Sequence, residues 1–252
     1  MKKRLVAIVL LLAICTLWGC GGGGAYELRR VDGNYYCDGF KNAADAEGEL
    51  YLPAVIEGRP IYELGGNAFE DSGLTRVEIG QGIPRLGDHA FANCRDLESV
   101  ELPSSLEYIG MSTFLGCISL GEIYIPQNVT SLDIWAFAEC RALETVVIEG
   151  RLDVLDREVF KDCAGLKVVY LPKTITNIYQ GAFAGCNLLE EIHFAGTIEE
   201  FLQIDFSIDW LSAESVLVSC ADGNIVLENS NSWYRTEQPA KYPADPMAAL
   251  SK

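Results

Sequence analysis

The chain has 252 residues, 49% of them apolar, which is enough for a core and excludes wholesale disorder. Against 36 Asp and Glu stand 19 Lys and Arg; the net charge of −17 excludes a reader of phosphate backbones, which needs a basic face to release counterions. Two histidines and no Cys-x-x-Cys pair leave little for a zinc site, and no other metal or cofactor motif is present.

Lys2, Lys3 and Arg4 form a positive start, and an apolar or small-residue run follows from Leu5 to Leu17. The run falls short of the roughly 20 residues that span a bilayer, so it predicts a secretory signal and not a membrane helix. Next come Leu17-Trp18-Gly19-Cys20 and then Gly21 to Gly24. Leu at −3, Gly at −1 and then Cys resembles the lipobox of bacterial lipoproteins, although Trp18 departs from the small residue usual at −2. The resemblance implies a lipoprotein signal peptide over residues 1–19, lipidation at Cys20 and a flexible tether over 20–25. The protein would then sit on the extracellular side of a bacterial membrane, touching it through the lipid alone. An ordinary signal peptide, releasing a secreted protein, is the alternative.

A 23-residue period organises most of the rest. Phe91, Phe114, Phe137, Phe160 and Phe183 keep this step, as do Cys94, Cys117, Cys140, Cys163 and Cys186, and Leu97, Leu120, Leu143, Leu166 and Leu189. A unit shorter by one residue, with Phe69, Ser72 and Leu74, precedes them. Fixed-period self-similarity indicates a solenoid, because one such unit cannot bury its own apolar face. Within a unit, Phe91 and Cys94 are three apart and share one side of a helical turn. Leu97, Val100 and Leu102 then take up strand alternation, and Pro103, lacking an amide hydrogen, ends it. Leu106 and Ile109 return the chain to the core.

The run Ile109-Gly110…Phe114…Cys117-x-x-Leu120-x-x-Ile123-x-Ile125-Pro126 resembles the leucine-rich repeat of bacterial BspA-like surface proteins, and the match extends over roughly residues 50–201. Glu149 and Ala195 depart from the post-strand Pro, and Val159 from the Ala before Phe. The resemblance implies a right-handed leucine-rich-repeat superhelix, with a parallel β-sheet on one face and short helical turns on the other. It also implies a part in adhesion.

Open ends would expose apolar side chains and strand edges, so caps are expected. Residues 26–64 are expected to form an N-terminal cap and degenerate repeat, and 65–201 six repeats of 22–23 residues. Residues 202–228 form a C-terminal cap, with a hairpin at Asp222-Gly223 between Val216-Leu217-Val218 and Ile225-Val226-Leu227. Gly196 to Phe201 resembles the closing segment of BspA-like arrays. The polar stretch 229–252, with three prolines, predicts a disordered tail from which Trp233 and Tyr234 dock on the cap.

Nine cysteines in an exported chain usually mean disulfides. Here five lie in one column and point one way, and Ser72 fills the same column, so a structural ladder of small apolar side chains is expected. Cys37 and Cys220 fall in opposite caps, too far apart to bridge. A cysteine nucleophile would need an exposed thiol of lowered pKa beside a base. The only imidazoles are His89, at a variable position, and His193, in a strand. No catalytic residue is assigned.

Between the inward residues of each strand lie side chains that face away from the core. One row is Arg76, Ser99, Glu122, Thr145, Val168, Glu191; the other is Tyr51, Glu78, Glu101, Tyr124, Val147, Tyr170, His193. The first half is acidic. Tyr124, Val147, Val168, Tyr170 and His193 in the second half are the candidate ligand-binding residues, with Trp135 a second candidate on the turn side. The expected function is a non-enzymatic, surface-anchored binding and adhesion module. Its partner would be a host or bacterial surface protein or a glycan. A structural envelope spacer is the alternative, and an enzyme a remote one.

Overall fold

The computed structural model describes residues 26–228 and the backbone of Ser232–Thr236. The signal peptide, Cys20, the Gly tether, the side chains of Trp233 and Tyr234 and most of 229–252 lie outside the described residues.

The N-terminal strands are β1 (Tyr26–Val31), β2 (Asn34–Phe40), β3 (Glu47–Leu52), β4 (Val55–Ile56) and β5 (Arg59–Leu64). The repeats hold β6 (Gly73–Ile79), β7 (Arg85–Leu86), β8 (Ser99–Glu101), β9 (Tyr108–Ile109), β10 (Glu122–Ile125) and β11 (Ser131–Leu132). They continue through β12 (Thr145–Ile148), β13 (Val154–Leu155), β14 (Val168–Leu171), β15 (Asn177–Ile178) and β16 (Glu191–Phe194). A short helix α1 (Ile198–Leu202) precedes β17 (Asp205–Phe206), β18 (Ser215–Cys220), β19 (Gly223–Glu228) and β20 (Ser232–Thr236).

Each repeat therefore gives two strands to two different sheets, and the chain is a parallel-strand solenoid of about eight turns. The main sheet runs β3-β6-β8 and, after a gap in its hydrogen-bond ladder, β10-β12-β14-β16-β18, with β19 and β20 added antiparallel. The other sheet runs β1-β2-β5-β7-β9-β11 and, after a similar gap, β13-β15-β17. It is built largely of two-residue strands, too short to carry a period of their own. Ser232–Thr236 falls in the stretch expected to be disordered; instead it pairs strand-to-strand with β19, Thr236 opposite Asn224.

The turn side differs from the expected helical turns. Among the described residues the only α-helix is α1, besides one 3-10 turn at Ala43–Asp45. The cause is two left-handed residues in every repeat, two positions before and two after the phenylalanine. Asn67, His89, Ser112, Trp135, Glu158 and Gly181 form the first column, with φ from 54° to 70°. Asp71, Asn93, Gly116, Glu139, Asp162 and Gly185 form the second, with φ from 57° to 78°. A left-handed residue ends a helix, so each turn keeps only single three-residue hydrogen bonds, such as Ala92 N to His89 O at 3.0 Å. The intervening N–H groups bond the next coil instead: His89, Phe91 and Asn93 donate to Met111, Thr113 and Leu115 carbonyls at 2.9, 2.8 and 2.7 Å.

Inside these turns the phenylalanines form a spine. Phe69, Phe91, Phe114, Phe137, Phe160 and Phe183 stack with centroids 5.1–5.7 Å apart and interplanar angles of 5–14°. The ends are closed edge-on, by Phe40 against Phe69 and Trp210 against Phe183. Offset and edge-on packing suit the ring quadrupole, and each such pair adds roughly 0.5–1.5 kcal/mol beyond area burial.

Candidate binding surface

The registers set the two outward rows of the main sheet side by side. Glu78 pairs with Glu101, and Tyr124, Val147, Tyr170, His193 and Ser219 follow one another on successive strands. Glu122, Thr145, Val168 and Glu191 form the neighbouring row. Glu78, Glu101 and Glu122 are exposed. Burial, and then the nearby Glu101, raises the Glu78 carboxyl above its ordinary value, and burial raises Glu122.

Of the candidate residues in the second half, only Tyr124 and Val168 keep partial exposure. Tyr124 donates its hydroxyl to Glu149 Oε2 at 2.6 Å. The expected open patch of Val147, Tyr170 and His193 is corrected: their exposures are 0, 8 and 5%. Tyr170 stacks on His193 at 4.5 Å and 11°, and His193 Nε2 lies 2.9 Å from Glu191 Oε2. Burial, helped by Glu191, raises the Tyr170 phenol.

Trp135 is on the turn side, away from this sheet face, and 41% exposed. Its indole donates to Glu158 Oε2 at 2.8 Å, where Lys161 Nζ also donates at 2.8 Å. Lys161 and then Trp135 hold the Glu158 carboxyl below its ordinary value. An open hollow of about 690 Å³ lies between Arg157, Tyr179, Gln180, Ser207 and Ile208. Tyr179 was legible as a candidate: it stands in a column occupied by Gly87, Gly110, Asp133 and Asp156.

The cysteine column is buried, and the seven described cysteines are free thiols. Cys94, Cys117, Cys140, Cys163 and Cys186 each donate S–H to the phenylalanine carbonyl of the preceding coil, at 3.1–3.2 Å. That carbonyl already accepts a backbone N–H; Phe91 O, for example, takes Cys94 N at 3.2 Å. A thiol is small and apolar enough for the core, yet fills the second lone pair. Burial raises the Cys94, Cys117, Cys140 and Cys163 thiols. A hydrogen bond with Cys163 and burial raise Cys186, and burial pushes Cys37 to about 11 and Cys220 to about 12. The nucleophile is the thiolate. Iodoacetamide at neutral pH is therefore expected to leave all seven unmodified in the native state and to label them in denaturant. Rapid native labelling at any of them, read by peptide mass, would contradict this burial.

A solenoid of in-register parallel strands with an inward leucine, phenylalanine and cysteine in each turn is a leucine-rich repeat. The family model for the BspA-type leucine-rich repeat region matches residues 62–190 in six copies, and the chain belongs to that family. The family is one of surface proteins that are generally protein-interaction modules and typically not enzymes. Among solved structures, the leucine-rich repeat protein of T. pallidum is similar at 24% identity and a TM-score of 0.61, over 75% of this chain and 88% of that one. A leucine-rich repeat protein of Bacteroides ovatus is 26% identical with a TM-score of 0.50, over 68% of this chain and 53% of that one. The pneumococcal vaccine antigen PcpA shares the fold at 20% identity and a TM-score of 0.53, over 72% of this chain and 47% of that one. The chain thus spans about half the length of the last two. No curated protein matches.

Proposed function

We propose that the protein is a non-enzymatic recognition module, a right-handed superhelix lipid-anchored through Cys20 on the outside of a bacterial cell and used in adhesion. A secreted form is the alternative placement. The observation that carries this reading is the outward face of the main sheet, where Glu78, Glu101 and Glu122 are exposed and Tyr124 and Val168 keep partial exposure on the strands that follow. A rigid patch of carboxylates beside an aromatic suits a protein surface that is basic beside apolar, better than a neutral glycan. The buried thiols of raised pKa support a reading without a cysteine nucleophile.

The test is retention of the mature full chain on arrays of host matrix proteins, bacterial surface proteins and glycans. Tyr124→Ala with Glu101→Gln is expected to lower affinity for a basic protein partner by about tenfold or more, since a central aromatic is worth over ~1 kcal/mol. The melting temperature should not move. A partner bound equally well by both chains puts recognition elsewhere, and no partner at all favours an envelope spacer.

A further inference from the structure

We propose that the hollow between Arg157, Tyr179, Gln180, Ser207 and Ile208 is a second binding site, for a sugar ring that carries a carboxylate. It lies where β13, β15 and β17 run out into the turns, so it belongs to the other sheet and not to the face proposed for recognition. Its volume, about 690 Å³, falls within the range of small-ligand sites, roughly 300–1,000 Å³.

Hydrogen bonds between successive coils fix the lining. Tyr179 N donates to Leu155 O at 2.9 Å and Glu158 N to Gln180 O at 3.2 Å, so Tyr179 and Gln180 are tied to the coil of Arg157. Ser207 N donates to Ile178 O at 2.9 Å and Gly181 N to Asp209 O at 3.1 Å, which holds Ser207 and Ile208 in the same way. Trp210 and Leu211, buried just beyond, anchor this last coil. A ligand would meet a site already formed, with little ordering cost.

The side chains are not ones that the repeat requires. Tyr179 fills a column that elsewhere takes Gly or Asp and is 38% exposed, and Ile208 is 82% exposed. Single exposed apolar residues are ordinary, but here two border one hollow. The charges point the same way. Arg157 stands between Asp156 and Glu158, yet its guanidinium has no partner among the described residues. Asp156 accepts instead from the Arg157 amide at 2.6 Å, and Glu158 from Trp135 and Lys161, both at 2.8 Å. Asp205 accepts from Asn177 at 3.5 Å, which leaves Asp209 as the one neighbouring carboxylate without a side-chain partner among the described residues. A guanidinium kept apart from its own carboxylates can take one from a ligand through two parallel N–H···O bonds. A single cation matches a carboxylate better than a phosphate, whose charge approaches −2. The Gln180 amide and Ser207 hydroxyl both donate and accept, as sugar hydroxyls do. The Tyr179 ring and Ile208 offer an apolar surface to the C–H side of the sugar.

The test titrates the full chain with methyl glucuronide, N-acetylneuraminic acid, methyl glucoside and glucose phosphate, read by ligand-observed NMR. At least one of the two acids should bind about tenfold more tightly than the glucoside and the phosphate, and the preferred acid tells a hexuronate from a sialic acid. Arg157→Gln should abolish this preference, and Arg157→Lys should keep only part of it, because an ammonium cannot form the paired bonds. Tyr179→Ala should weaken binding of the preferred acid about tenfold. Both positions are exposed, so the melting temperature should not move. Tyr124→Ala with Glu101→Gln, which probes the main sheet, should leave the affinity for the acid unchanged, so the two readings fail separately. No saturable binding of either acid, the glucoside or the phosphate bound as tightly as the acids, or a preference that survives Arg157→Gln would each overturn the proposal.

Discussion

Replacing Phe137 with alanine is expected to destabilise the protein by about 3–5 kcal/mol, the usual cost of removing a buried aromatic ring. Phe137 is fully buried, with Phe114 stacked at 5.1 Å on one side and Phe160 at 5.7 Å on the other. Its loss leaves a gap that two rings held by their own coils cannot close. For a chain of this length, that corresponds to a fall in melting temperature of about 6–20 °C. The position in the array matters as well as the ring. A solenoid is stable by the sum of its nearest-neighbour interfaces, and Phe137 belongs to two of them. Hydrogen exchange should therefore quicken in the coils on both sides before the ends are affected. Phe137→Leu should recover part of the loss by refilling volume. A cost for the alanine variant below about 1 kcal/mol would show that the stack is not what holds adjacent turns.

The columns that define this stack were legible because the same residue type recurs in them. Phe, Cys and Leu each face one interior environment, and a changed residue would be felt at once. The left-handed column could not be read in that way. Asn67, His89, Ser112, Trp135, Glu158 and Gly181 share a backbone angle but no side-chain chemistry, so they read as a variable surface position and the turn reads as helical. The second sheet was hidden because two residues carry no alternation. Asp32-Gly33, the tight turn between β1 and β2, carries the same signal that marks Asp222-Gly223, with both φ values positive at 49° and 90°. For the candidate surface, alternation told which side of the strand Val147, Tyr170 and His193 occupy. It carries no information on how far they are shielded, since that depends on how side chains of successive strands pack on one another, as Tyr170 does on His193.

Gly87→Ala should be the second most damaging change, at about 2–3 kcal/mol, through overpacking and the weakening of a hydrogen bond. A methyl group at Gly87 would sit 2.7 Å from Leu64 O, 2.9 Å from Gly66 N and 3.0 Å from Gly65 C, all backbone atoms of the preceding coil. Backbone cannot rotate away as a side-chain tip can. Leu64 O is moreover the acceptor for Gly87 N at 2.8 Å, so relief of the clash lengthens that bond. The coils must then part where β5 meets β7, and the chain N-terminal to residue 87 should lose protection from exchange first. Gly121→Ala is the matched control: nothing lies within 4 Å of the added methyl and the backbone is not left-handed. It removes freedom from the unfolded chain and should be neutral or stabilise by up to about 1 kcal/mol. The pair separates contact from propensity, because both changes gain the same intrinsic advantage of alanine over glycine. If thermal melts place the two variants within about 0.5 kcal/mol of each other, the close approach of adjacent coils is not a constraint on the sequence.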